Sequence, residues 1–109
     1  MRKRTKAVAI PPKVREEVEK RDSVNGVPCC IFCGSPNARG EAHFIARSQG
    51  GLGVPQNLLT VCRTCHSQMD NGQATKLYRE KAKAYLISKY PDWNEDELIY
   101  HKWKGFEYQ

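Results

Sequence analysis

The chain has 109 residues, 39% of them hydrophobic and 28% charged, with five cysteines, a net charge of +6 and a pI near 9.2. That length gives one small domain, which buries too little apolar surface to do well without an aid such as a structural metal. No apolar run approaches the ~20 residues needed to cross a bilayer, and the basic balance favours a polyanionic partner such as nucleic acid.

Residues 1–11 read as a basic, flexible arm. Its one apolar stretch, Ala7 to Ile10, stops at Pro11-Pro12 and is too short for a secretory signal, so the chain is expected to stay in a reducing cytoplasm. Pro12 suits a helix start, and Val14 and Val18 repeat at i, i+4, which predicts a short helix over Lys13–Asp22 that ends at Asn25-Gly26. Cys30-Ile31-Phe32-Cys33-Gly34 has the form of a zinc knuckle, in which the glycine lets backbone amides turn towards sulfur.

Glu41–Ile45 and Leu58–Val61 read as two strands joined by a turn-rich loop, and Thr64–Asp70 as a helix closed by Asn71-Gly72. The unit is ββα. Beyond it, Ala74, Leu77, Tyr78, Ala82, Tyr85 and Leu86 recur at helical spacing up to Pro91, with Lys76, Arg79, Lys81 and Lys83 mostly on the other side. Asn94 and Glu97 have capping-box spacing and predict a final helix carrying Leu98, Ile99 and Trp103. The expected class is α+β: a small zinc-stabilised ββα unit over residues 12–72, with an N-terminal helix and a helical extension over residues 73–109 packed on it.

Cys62-Arg63-Thr64-Cys65-His66 is open to two readings, a c-type haem attachment site or half of a zinc site. Haem attachment requires export, which the N-terminus does not signal. Cys30, Cys33, Cys62 and Cys65 together form two CxxC pairs, one in a loop and one at a helix start, the spacing of a closed structural Zn²⁺ site. Cys29 is left over and reads as a small hydrophobe.

His43, Asn57, His66 and Asp70 form a second constellation. His66 and Asp70 are four apart, so on a helix they share a face and can grip one divalent ion, while His43 comes from the first strand.

At this point the sequence resembles the HNH, or ββα-metal, endonucleases. The resemblance lies in the stretch Ala42-His43-Phe44-Ile45-Ala46-Arg47-Ser48-Gln49-Gly50-Gly51, then Asn57-Leu58-Leu59, then Cys62-Arg63-Thr64-Cys65-His66. It covers residues 12–71 and implies a metal-dependent DNA endonuclease. His43 would be the general base, and Asn57 would tie the loop to the strand that carries it. His66 and Asp70 would hold a catalytic Mg²⁺ or Mn²⁺ against the phosphate, and the products would carry 5′-phosphate and 3′-hydroxyl ends. Arg47, Lys13, Arg15 and the basic arm would contact DNA phosphates. The Gly-Gly-Leu-Gly loop and aromatic tail are similar to small HNH proteins encoded by phages near their packaging genes, which implies roles in phage DNA processing and partners such as a terminase.

Two positions depart from the family pattern. Ala42 stands where an aspartate or histidine usually serves as a further metal ligand, and Ala46 where proline is usual. Glu41 is no obvious substitute for that ligand, because on a strand it shares a face with His43 rather than with position 42. The alternative reading is therefore a catalytically weakened zinc-containing DNA-binding or scaffold module. DNA specificity, nicking against double-strand cleavage, and monomer against dimer stay open.

Overall fold

The computed structural model describes residues 3–101, and its centre is the antiparallel pair β3 (Ala38–His43) and β4 (Leu58–Cys62), followed directly by helix α3 (Arg63–Asn71). All five residues of β4 are buried, which an antiparallel strand tolerates only when both its faces are covered. Helix α2 (Pro12–Arg21) packs across β3 and β4 through the fully buried Val18, and α3 packs back on β4 through Met69. Helix α4 (Thr75–Lys89) lies on α3 and adds Ala82 and Leu86 to the same core, with Leu98 from a 3₁₀ turn over Glu95–Leu98. The architecture is α+β, as the sequence predicts.

The β3–β4 ladder is irregular where the site is built. Arg39 faces Val61 and Ala42 faces Leu59, so Gly40 and Glu41 together oppose the single residue Thr60, a bulge. Regular pairing ends at His43, two residues before the end of the expected strand, because the 3₁₀ turn Pro55–Asn57 stops β4. There the Asn57 carbonyl accepts from the Phe44 amide at 2.8 Å.

Three further expectations are corrected. Residues 3–8 of the expected flexible arm form a helix, α1 (Lys3–Val8), held by tertiary contacts: Val8 is buried, and Arg4 Nη2 donates to the Ser48 carbonyl at 2.8 Å. Asn25-Gly26 does more than end a helix. With φ of 52° and 82° it makes the turn of a two-residue hairpin, β1 (Ser23–Val24) and β2 (Val27–Pro28). The final helix is only the 3₁₀ turn Glu95–Leu98, started by the Asn94 side chain, which accepts from the Asp96 amide at 3.0 Å. It stops there because Ile99 runs extended and pairs with Gly51 instead. Trp103 lies outside the described residues.

A buried polar cluster unites α2, β4 and α4. Arg21 clamps Asp22 through Nε and Nη2, at 2.7 and 2.8 Å, and also donates to the Pro55 and Leu58 carbonyls and the Tyr90 hydroxyl. Asp22 accepts from the Thr60 amide and the Tyr85 hydroxyl. Burial alone would raise the Asp22 pKa, but Arg21 and Tyr85 outweigh it and hold the carboxyl below its usual 3.8.

Candidate functional site

Four thiols meet between the knuckle and the start of α3. The Sγ atoms of Cys30, Cys33, Cys62 and Cys65 lie within 4.8 Å of one another. The knuckle turns on Gly34, whose φ of 79° lets its amide donate to the Cys30 carbonyl at 2.8 Å, and Cys62 caps α3 by accepting from the Cys65 amide at 3.4 Å. The thiols do not ionise alike. Burial opposes ionisation of Cys30, yet backbone amides around it bring its pKa down to about 7, whereas burial and the neighbouring thiols push Cys65 up to about 12. Four thiolates this close need a counter-charge, and four sulfurs converging from two CxxC pairs fit tetrahedral Zn²⁺. Cys29, the fifth cysteine, is only half-buried and stands apart from the cluster, its Sγ 3.2 Å from the Val27 carbonyl.

An open cleft of about 890 Å³ lies apart from the cysteines, none of which lines it. Its walls include Glu41 and His43 from β3, Arg47 and Ser48 from the following loop, His66 and Asp70 from α3, and Arg15 and Arg79 from flanking helices. His66 and Asp70, one helical turn apart, place Nε2 and Oδ2 3.2 Å from each other. Both are about two-fifths exposed, so the pair is open to solvent and to a ligand. Among the described residues they form no cluster of three metal-ligating side chains; the cysteines do.

His43 is buried, and its Nε2 lies 3.0 Å from the Val8 carbonyl. A carbonyl only accepts, so Nε2 carries the proton and Nδ1 keeps its lone pair in the neutral ring. Burial is the main reason the His43 pKa lies below the usual 6.5. The charges of Arg47 and His66 act in the same direction, against the Val8 and Glu41 carbonyls. The imidazole is therefore neutral at pH 7, the state that can accept a proton.

Of the expected residues, Arg15, His43, Arg47, His66 and Asp70 line the cleft, whereas Asn57 is buried outside its lining and Lys13 is not part of it. Ala42 points into the core, 1% exposed, so position 42 does not border the cleft at all. Glu41 does border it, because it shares the face of His43, and Arg15 Nη1 pairs with it at 3.0 Å. Lys13 lies elsewhere, on a groove lined by Glu16, Glu17 and Glu19: two residues from Arg15 on a helix, it projects from the far side. Arg79 was not expected in the site. It donates through Nη1 to the Phe44 carbonyl, beside His43, and its helical spacing showed only that it lay off the apolar stripe.

The family model described as HNH endonuclease matches residues 30–81, which contain both cysteine pairs, His43, Asn57, His66, Asp70 and Arg79. A curated relative, Anaredoxin from Nostoc sp., is 29% identical over 62 residues, covering 56% of this chain and 76% of its own length. No solved structure matches the chain. Among the described residues no helix is long and apolar enough to cross a membrane. Residues 30–81 thus match the HNH endonuclease family model, and the match runs through the four-cysteine cluster and the ββα unit.

Proposed function

We propose that the protein is a metal-dependent DNA endonuclease that hydrolyses phosphodiester bonds in the cleft between β3 and α3. The observation that carries this reading is the single cleft lined by His43, Arg47, His66 and Asp70, with the one buried imidazole among them held neutral. His43 accepts at Nδ1 the proton of a water that attacks phosphorus; the bond to the 3′ oxygen breaks, leaving a 5′-phosphate and a 3′-hydroxyl. Asn57 fixes the backbone just after His43. Arg47, Arg15 and Arg79 face the phosphates. His66 and Asp70 would hold Mg²⁺ or Mn²⁺, an ion that would supply charge stabilisation at the phosphate. The zinc centre is closed and structural. A place in phage DNA processing beside a terminase is part of the same proposal and rests on the sequence resemblance alone.

One observation favours the second reading, a weakened DNA-binding or scaffold module. Ala42 in the core leaves two side chains, His66 and Asp70, as the metal grip. The test is incubation of supercoiled plasmid with the zinc-loaded protein. Cleavage that requires Mg²⁺ or Mn²⁺ supports the enzyme, and DNA binding without cleavage under either ion supports the module.

A further inference from the structure

The segment before α2 reaches into the site although it lies outside residues 30–81. The Val8 carbonyl meets His43 Nε2 at 3.0 Å, and both residues are 7% exposed, so water does not readily compete for that hydrogen bond. The next residues, Ala9 and Ile10, continue as part of the cleft wall. This stretch is seated on the loop between β3 and β4 at defined points. The Gly53 amide donates to the Ala7 carbonyl at 3.0 Å, and Arg4 Nη2 donates to the Ser48 carbonyl at 2.8 Å. The seat itself requires glycine. A Cβ on Gly53 would stand 1.9 Å from the Ala9 oxygen and 2.7 Å from its carbonyl carbon, both of them backbone atoms that cannot rotate away.

We propose that Ala7–Ile10 is a positioning element of the cleft: through the Val8 carbonyl it locks His43 as the Nε2–H tautomer, and Gly53 is the seat that brings the segment close enough to do so. The consequence for turnover rests on the endonuclease reading; the tautomer does not. Without the Val8 acceptor the neutral ring is free to carry its proton on Nδ1, and in that form it has no lone pair at the nitrogen needed for proton abstraction. Family matching alone does not find such an element, because its key atom is a main-chain oxygen supplied from outside the matched span.

The experiment is ¹⁵N-histidine spectroscopy of the zinc-loaded 109-residue chain at mildly alkaline pH. The chain has three histidines, and His43 is identified by loss of its signals in His43→Gln. The wild type should show His43 as the Nε2–H form alone. In Gly53→Ala the two nitrogens should move towards averaged tautomers, and Arg4→Ala should shift them less in the same direction. Zinc content should not change in either variant. Turnover of plasmid by Gly53→Ala should fall about tenfold or more with the DNA-binding curve unchanged. A wild-type His43 found as Nδ1–H or as a mixture overturns the proposal, as does a folded Gly53→Ala that keeps pure Nε2–H. Should Gly53→Ala fail to fold, the wild-type spectrum and Arg4→Ala decide by the same criteria. Locked His43 in the wild type, released in the variants, with no cleavage by any of them, upholds the positioning and overturns the endonuclease reading.

Discussion

The side chain of Asn57 grips both backbone groups of Ile45: Oδ1 accepts from the Ile45 amide at 2.8 Å, and Nδ2 donates to the Ile45 carbonyl at 3.2 Å. It thus replaces the strand partner that β3 loses after His43, and Nδ2 also reaches the Leu52 carbonyl at 2.9 Å. Asn57 is fully buried, so removing it strands these groups away from water at about 1–3 kcal/mol each. Asn57→Ala should lower the unfolding temperature by several degrees and reduce turnover, and Asn57→Asp should be worse, since a carboxylate cannot donate to two carbonyls. Thermal unfolding and plasmid cleavage check both. Wild-type stability in Asn57→Ala would show that the loop is held by other contacts.

The metal centre predicts about one tightly bound zinc per chain, readable by elemental analysis. Cys62→Ser should be the more damaging ligand change, because Cys62 both joins the cluster and caps α3. Cys33→Ser, at an exposed position, should leave a weaker site and a lower unfolding temperature. Cys29→Ser should retain the zinc. Chelation that removes zinc yet leaves near-UV circular dichroism intact would contradict a structural role.

The buried pair Arg21–Asp22 gives a prediction about stability alone. Asp22→Ala leaves the guanidinium desolvated and uncompensated, with an expected loss of about 3–5 kcal/mol in denaturant unfolding. Because the folded state holds the Asp22 pKa below 3.8, its contribution is fully present above that value and is lost as pH falls through the lower folded pKa. Replacing the carboxylate with Asn should flatten stability between pH 4 and the acid transition, relative to the wild type.

The ββα unit, the four-cysteine cluster and the closeness of His66 to Asp70 were legible because their signals are local: CxxC pairs, a four-residue His–Asp spacing and turn glycines each read within a few positions. What escaped depends on contacts between distant parts of the chain. Helix α1 is too short to declare itself and is held by Ser48 and His43, far along the sequence. Arg79 has the same periodicity as the solvated lysines around it, and only its reach to the Phe44 carbonyl sets it apart. Likewise, the side on which Ala42 lies depends on strand pleat and on the bulge at Gly40-Glu41, and a motif alignment contains neither.

That placement yields a fourth prediction. If position 42 were a vacant ligand site, Ala42→Asp would strengthen metal binding; with Ala42 packed in the core, the carboxylate is buried among apolar neighbours instead. Ala42→Asp should lose several kcal/mol of stability and show no gain in Mg²⁺ affinity. A lower half-maximal Mg²⁺ concentration in a folded variant would contradict this placement of the strand.

On the proposed mechanism the acid limb of the pH profile should report on His43. Its pKa is depressed in the folded protein, so the neutral, proton-accepting form persists below the ordinary 6.5, and the fall in kcat/KM should be centred there rather than at neutrality. The sign for stability is the same: the neutral ring is favoured by folding, so this contribution is present above about pH 6.5 and is lost as pH drops through the folded pKa.

The most direct measurement compares wild type and His43→Ala side by side for duplex binding and for Mn²⁺-dependent cleavage of supercoiled plasmid. In His43→Ala, affinity and salt dependence, assigned to Arg47 and the other cleft cations, should be unchanged, and turnover should fall by about a hundredfold or more without recovery on added Mn²⁺. His66→Ala should also lose cleavage, with partial recovery at high Mn²⁺. Equal cleavage rates for His43→Ala and the wild type would contradict the assignment of His43 as the base and, with it, the mechanism proposed for this cleft.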